Sequence, residues 1–577
     1  MPVFLVPKRS PIMSPFWLIF WAFAIALTWL LPNHFPPWTG FHADAWMGLI
    51  TLMAGITLLV LVRTEVNWHP ISLLFAFLAL VPWFQFGAGL LPFAGQAWVS
   101  SLYISGFLLV FMFGERWESA NPLQLANGLF LALFFATFIS VWLQLFTWLA
   151  LSDGDITDIR SMGLSGNRPY ANLGQPNNLA TLLIWGVLAC FWAYLRGILG
   201  GAVATFSCFF LITGLALTQS RMGLLAATVL LGAIWIWRRL WPSRKLVWLA
   251  SILYGYLWLA PFLLKWLSGV LLLDGEGTYL RLQQQGELRL GAWRLFLRAI
   301  AEHPWFGYGW TEVGVAQLAV ADKVPGLGVT FGHSHNLFLD LLLWLGLPFG
   351  LVTAGVLIRW FFSAGRRVGT PEDAVLVMLL GVVGIHAMVE LPLHYAYFLL
   401  PTGLVMGIIC ARSGAKVVFS TSHWTLGVIL LVTSIIFGVV IRDYFRVEAS
   451  YNAFRFEKAR IGLGKTPLGK PPEVLMLTHL RDWNRLARFE VTPSMTSEQL
   501  QWMEAVTNAF PSAPGVYRLA TALAMNDRSE DALRWLNKIC KITDEKECDL
   551  IQRVWEEESK ERIEGSYIKW PLGTENQ

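Results

Sequence analysis

Gly332-His333-Ser334-His335-Asn336 runs directly into Leu337-Phe338-Leu339-Asp340 and a mostly apolar stretch that ends near residue 358. A polar turn followed by ~20 apolar residues is how a loop enters a membrane-crossing helix. A histidine at that boundary meets both water and the bilayer surface. Its ordinary pKa of ~6.5 suits it to take and return a proton near neutral pH. Histidines also populate interfacial polar belts, so the motif alone leaves both readings open.

Working outward, similar apolar stretches fall at 16–31, 46–62, 70–84, 98–113, 128–149, 179–195, 199–217, 222–237, 246–264, 337–358, 374–391, 396–411 and 424–441. The expectation is an all-α polytopic membrane protein with about thirteen transmembrane helices, twelve to fourteen given the short ones. Composition agrees: of 577 residues, 55% are hydrophobic and only 14% charged, too apolar for a soluble domain. Thirty tryptophans suit aromatic belts at many span ends. The net charge of +5 gives no reason to expect a nucleic-acid partner; the bilayer is the partner that composition requires. Lys8 and Arg9 precede the first apolar run, which ends in Pro32-Asn33-His34 without a small-residue cleavage site, and this reads as an uncleaved signal anchor.

Counting from a cytoplasmic start puts Arg63, Arg116, Arg196, Arg238-Arg239, Arg244-Lys245, Arg366-Arg367, Arg412 and Lys416 inside. The short outer loops 32–45, 85–97 and 392–395 contain no Lys or Arg, as the positive-inside bias requires. The predicted organisation is then 1–264, transmembrane helices with an outer loop at 150–178; 265–336, a large outer loop; 337–441, further transmembrane helices; and 442–577, an outer helical domain. Loop 265–336 is too long for a simple connector. In the tail, Ala520 to Leu536 has the spacing of one tetratricopeptide-like helix pair. Cys190, Cys208 and Cys410 lie in apolar runs and read as core residues. Cys540 and Cys548 can pair if the tail is extracytoplasmic.

Polar residues gather on the outer side. Arg168 and Gly174-Gln175-Pro176-Asn177-Asn178 sit in a bent loop before a span, and their amides suit a sugar or phosphate, or simply a helix cap. Arg221, in Thr218-Gln219-Ser220-Arg221, has no local acidic partner and sits between two spans; such an arginine either snorkels or meets an anion. Residues 286–301 fit an amphipathic helix with Arg294 and Arg298 on one face, suited to anionic headgroups or to a diphosphate. An aromatic turn, His303 to Trp310, follows. Glu390 and the tyrosines Tyr395 and Tyr397 frame a tight outer hairpin, where Glu390 either orients a neighbour or anchors structure. Asp153-Gly154-Asp155 lies in a Gly-containing run, and His333 and His335 make an i,i+2 pair without a third ligand; neither is a strong metal site. Arginines beside a histidine suit an anionic, lipid-linked substrate and a proton transfer.

These stretches resemble the bacterial O-antigen ligase and polymerase superfamily. The resemblance is carried by Arg168 with Gly174-Gln175-Pro176-Asn177-Asn178, Thr218 to Arg221, Arg294 with Pro304 and Gly307-Tyr308-Gly309-Trp310, His333 to Asn336 with Gly346, and Glu390 to Phe398. Gln-Pro-Asn-Asn and Pro-Leu-His-Tyr look most like the PglL-type O-oligosaccharyltransferases that glycosylate proteins. One position departs from the ligase pattern: Phe349 stands where that pattern has a small residue. The resemblance implies a GT-C-like membrane enzyme that moves an oligosaccharide en bloc from undecaprenyl diphosphate to Ser or Thr of a pilin-like protein. It implies periplasmic chemistry at the inner membrane with no cofactor and no essential metal. His335 is the expected general base; Arg168, Gln175, Arg221, Arg294, Asn336, Glu390, Tyr395 and Tyr397 are the expected substrate-binding residues. The alternatives are a ligase or polymerase acting on a sugar hydroxyl, and a transporter of a lipid-linked anion, which calls for internal repeats that are not seen.

Overall fold

The structure is a computed structural model and describes residues 14–149, 151, 168–273, 284–459 and 470–562. Lys8-Arg9, Asp153-Gly154-Asp155 and Arg281 lie outside these residues. Each predicted apolar stretch forms the body of a helix, although 374–391 runs past its helix, which ends at Ala387, and others overrun by one or two residues. Among the described residues, eight helices are long and apolar enough to cross a membrane, from Phe41–Leu61 to His423–Lys458, and Pro15–Trp29, Gly201–Leu217, Arg221–Ile236 and Ala396–Arg412 are shorter apolar helices. A helix satisfies its backbone polar groups internally, which is what a chain this apolar needs in a bilayer. The chain folds as two compact units, each assembled from separate segments.

The first unit comprises Met1–Phe77, Tyr103–Arg281 and Val356–Phe437. Its helices pack through small residues. A methyl group on Gly407 would overlap the Phe111 carbonyl, so Ala396–Arg412 approaches Ala94–Ala120 as closely as backbones allow. The basic loop residues meet acids at one end of this unit. Arg412 donates to Asp373 (2.6 Å) and Glu118 (3.0 Å), and Arg196 lies 3.5 Å from Glu372. A capping box between Thr370 and Asp373 starts the helix Pro371–Ala387 there. A short antiparallel ribbon, Val66–Trp68 against Phe419–Thr421 with Val66 opposite Thr421, lies at the same end, where Asn67 donates to Glu115.

The second unit comprises Leu78–Leu102, Leu282–Gly355 and Gly438–Gln577. Its long loop carries the amphipathic helix Gln284–Glu302 and a short buried helix, Val313–Val320. The following helix, Leu337–Arg366, is kinked at Gly346 (φ 74°). That kink frees the Leu343 carbonyl to accept from Tyr308 N (2.7 Å), while Leu347 N donates to Pro304. A side chain at Gly307 or Gly346 would collide with the opposing backbone, so both glycines are required where the aromatic turn meets the kink.

Among the described residues of the tail, five helices follow His423–Lys458: Thr478–Arg488, Ser497–Ala509, Ala513–Met525, Ser529–Ile542 and Glu545–Arg562. The predicted helix pair is present, turning at 526–528. Leu500, Met503, Val506, Val516, Leu519, Leu536, Ile539 and Trp555 make its core. Cys540 and Cys548 are joined by a disulfide across the last turn.

Candidate functional site

In the first unit the expected polar residues form one network. Gly174 (φ 69°) turns the chain, Gln175 takes the N-cap position, and Pro176 occupies the first turn of Pro176–Leu195, where its missing N–H costs nothing. Gln175 Nε2 and Asn177 Nδ2 both donate to the buried Glu390 carboxylate, the latter at 2.6 Å. Asn177 Oδ1 accepts from Ser220 Oγ at 2.6 Å, and Ser220 Oγ caps Arg221–Ile236 by accepting from Gly223 N. The side-chain bonds thus tie two helix N-termini together. Each carries a partial positive charge of about half a unit, which attracts anions.

Arginines flank this pair of helix ends. Arg168 Nε donates to Thr218 O (2.9 Å) and one terminal nitrogen reaches Gln219 O (3.5 Å), so Arg168 locks the 168–175 loop to the 218–220 turn. Arg221 is exposed at the first position of its helix and forms no ion pair among the described residues. Of the two arginines, Arg221 offers its guanidinium outward and Arg168 works at least partly as a strut.

Glu390 is also joined from below. His386 Nε2 lies 3.4 Å from Glu390 Oε2, and His386 Nδ1 lies 2.8 Å from Thr181 Oγ1. Glu390 is therefore a hub for two amides and a histidine of its own unit. Tyr395 and Tyr397 stack at 5.0 Å with an interplanar angle of 19°. Asp44, held by Tyr103 Oη at 2.6 Å, accepts from Ala396 N at 2.7 Å and so fixes the start of the helix that carries them. Burial lowers the pKa of His394, in the same hairpin, to about 4, which leaves it neutral.

In the second unit the histidine motif is a turn at the entrance to Leu337–Arg366. His335 has φ 59°, a left-handed conformation that costs a non-glycine residue on the order of 1 kcal/mol and persists only where neighbours enforce it. The neighbours are visible. Ser334 N donates to Asp340 Oδ1 (2.8 Å), and Ser334 Oγ donates to Asn336 O (3.0 Å). Asn336 Oδ1 accepts from Phe338 N and Leu339 N, capping the helix. Asn336 is thus occupied as a cap through its side-chain oxygen. The His333 and His335 rings stand 4.2 Å apart, edge to face, and His335 N points to His333 Nδ1 at 3.3 Å. Among the described residues, no group of three or more His, Cys, Asp or Glu is placed to hold a metal ion.

The helix Gln284–Glu302 buries Ala292, Leu295, Phe296 and Ala299 and exposes Arg294 and Arg298. The two arginines differ in their partners. Arg298 pairs with Glu302 at 2.9 Å, which Lys323 also meets at 2.8 Å. Arg294 has no ion-pair partner among the described residues. Its helix reaches the histidine through rings: Phe296 packs edge-on to Phe331 (5.8 Å), and Phe331 edge-on to His335 (5.9 Å).

Sequence reasoning passed over several participants. His386 sits one turn before Glu390, an i,i+4 pair inside an apolar run that a search for polar residues at helical spacing would find. Asp340 follows the motif by one helical turn. Glu312 is buried beside Gln96, which donates to it, and burial raises its pKa to about 8. Nothing local marks Glu312, because its burial depends on residues far away in the chain.

Comparison with known proteins follows the same residues. The family described as O-Antigen ligase matches residues 206–354, which hold Arg221, Arg294, His335 and Asn336. The family described as virulence factor membrane-bound polymerase, C-terminal, matches 374–545, which hold Glu390, Tyr395 and Tyr397. The chain is 28% identical over 553 residues to a general O-oligosaccharyltransferase of Acinetobacter baylyi, covering 91% of this chain and 92% of that one. It is also 28% identical over 248 residues to a ComP-specific O-oligosaccharyltransferase of the same organism, covering 43% and 44%.

Proposed function

We infer, from its similarity to the O-antigen ligase family and to O-oligosaccharyltransferases, that this chain is a membrane-bound O-oligosaccharyltransferase that glycosylates proteins. The observation that carries this reading is the similarity to a general O-oligosaccharyltransferase over nine-tenths of both chains. The donor is an oligosaccharide on undecaprenyl diphosphate, and the acceptor is a Ser or Thr hydroxyl of a pilin-like protein. The acceptor oxygen attacks the anomeric carbon, the bond from that carbon to the diphosphate oxygen breaks, and undecaprenyl diphosphate leaves with the electron pair. The hydroxyl proton goes to the His335 imidazole as the new bond forms. Arg221 and Arg294, with Arg168, are the residues that bind the diphosphate and stabilise the charge that grows on it. Gln175, Tyr395 and Tyr397 position sugar or acceptor, Asn336 holds the histidine turn, and Glu390 orders Gln175.

The reaction takes place on the periplasmic face of the inner membrane. The basic loop ends gathered away from Gln175 and Arg221 support this orientation under the positive-inside bias. The Cys540–Cys548 disulfide supports it too, because such bonds persist in oxidising compartments. The O-Antigen ligase match favours one second reading, transfer to a sugar hydroxyl. Purified protein incubated with a lipid-diphosphate oligosaccharide and a pilin-like acceptor separates the two. A mass gain of one whole glycan on the protein acceptor supports protein glycosylation. Transfer only to a lipid-A-type sugar replaces it with the ligase reading.

A further inference from the structure

The helix Val313–Val320 reads Val-Gly-Val-Ala-Gln-Leu-Ala-Val. Gln317 is its only polar side chain, and just 1% of its surface is exposed. Burying an amide costs a few kcal/mol unless both ends are hydrogen-bonded. Here both ends serve one stretch of backbone. Gln317 Nε2 donates to Val329 O (2.7 Å), and Gln317 Oε1 accepts from Phe331 N (2.9 Å). The amide thereby acts on 329–331 as a neighbouring β-strand would, fixing the carbonyl of one residue and the N–H of the next but one.

Phe331 is the last buried residue before the histidine turn, and its ring packs against His335. The segment is also held upstream, where Leu327 N and Gly328 N both donate to Lys541 O, and downstream, where Asp340 holds Ser334 N. Asp340 and Gln317 are the two side-chain ties: Asp340 holds Ser334, and Gln317 holds the backbone just upstream of it. A left-handed histidine needs such enforcement to stay in place. We propose that Gln317 is a positioning residue for His335: it fixes the backbone of 329–331 and, through Phe331, the imidazole. This inference rests on the reading of His335 as the general base.

Two substitutions test it in the transfer assay with full-length protein. Gln317→Ala removes both hydrogen bonds. It should lower kcat on the order of 100-fold, the cost of a misplaced catalytic group, while leaving the KM for lipid-linked donor near wild type. Gln317→Glu keeps the acceptor for Phe331 N, but a carboxylate cannot donate to Val329 O until it is protonated. The ratio of Gln317→Glu activity to wild type should therefore rise as pH is lowered through that carboxyl's titration, and the Gln317→Ala ratio should stay flat. A role confined to stability shifts the melting temperature of Gln317→Glu with pH but leaves its kcat per folded molecule flat relative to wild type. Wild-type kcat in Gln317→Ala, or a flat Gln317→Glu ratio, overturns the proposal; if the alanine variant does not fold, the glutamate ratio decides. His335→Ala in the same assay separates the two layers. If it transfers normally, the base reading falls and this inference falls with it. If it is inactive while both Gln317 variants behave as wild type, only the positioning role falls.

Discussion

Replacing Glu390 with Gln keeps the shape of the side chain and changes what it can accept. The carboxylate takes hydrogen bonds from Gln175 Nε2 and Asn177 Nδ2, one on each oxygen. A glutamine has a single oxygen, so whichever way it is turned one of the two donors faces an N–H group. The variant loses one charge-assisted hydrogen bond and leaves a buried donor without an acceptor, about 3 to 5 kcal/mol in all. The loss falls on the tie between two helix N-termini, because Asn177 is also the acceptor for Ser220. The assay is equilibrium unfolding of purified protein in mixed detergent micelles. Wild type, Glu390→Gln, Asn177→Ala and the double variant would be run as a cycle. A coupling of about 1.5 to 3 kcal/mol between positions 177 and 390 is expected. Transfer should fall as well, since Gln175 loses the acceptor that orders it. Glu390→Gln as stable as wild type, together with zero coupling to Asn177, would refute the hub role.

Two further outcomes follow from the long loop of the second unit. Burial raises the Glu312 pKa to about 8 in the fold, against ~4.3 in an unfolded chain, so the folded protein binds one proton more than the unfolded chain between those values. Stability from this group is full below pH ~4.3 and is lost as pH rises towards 8, by up to about 1.4 kcal/mol per pH unit. Glu312→Gln, which mimics the protonated acid, should remove that slope from melting temperatures measured between pH 5 and 8; parallel slopes would contradict it. Among the arginines, Arg294→Ala should reduce transfer at least tenfold, roughly one lost charge-assisted contact, while Arg298→Ala stays near wild type. Arg298 is in an exposed pair with Glu302, and such pairs are worth about 0 to 1 kcal/mol. Equal losses in steady-state transfer rates would show that the free and the paired arginine do not differ in role.

Membrane character was legible in the sequence because it depends on local runs. Each apolar stretch became a helix, and the amphipathic pattern at 286–301 became Gln284–Glu302 with Ala292, Leu295 and Phe296 inward. Helix starts were legible for the same reason: Pro176, Ser220, Thr370 and Asn336 carry their cap chemistry within four residues of the helix they begin. What each polar residue bonds to was not legible. Glu390 takes its partners from 213 and 215 residues away, and Gln85 joins Trp310 and Trp344 across more than 200 positions. Such pairings follow from tertiary packing, which no local period encodes. The conformation at His335 was not legible for a related reason. Spacing predicts a common side only for an extended strand, whereas Asp340 and Asn336 fold that segment into a turn with His335 left-handed. Gln317 could have been found, as the one amide in an apolar helix, but its target could not.

The proposed mechanism has His335 take the proton of the acceptor hydroxyl during glycan transfer to protein. Its most direct test is single-turnover transfer from a lipid-diphosphate oligosaccharide to a pilin-like acceptor, by wild type and by folded, membrane-inserted His335→Ala, followed by intact mass of the acceptor. Wild type should add one glycan mass, and the variant should do so at a rate lower by about 10²- to 10⁴-fold, the usual worth of a general base. Equal rates for the two proteins would contradict it.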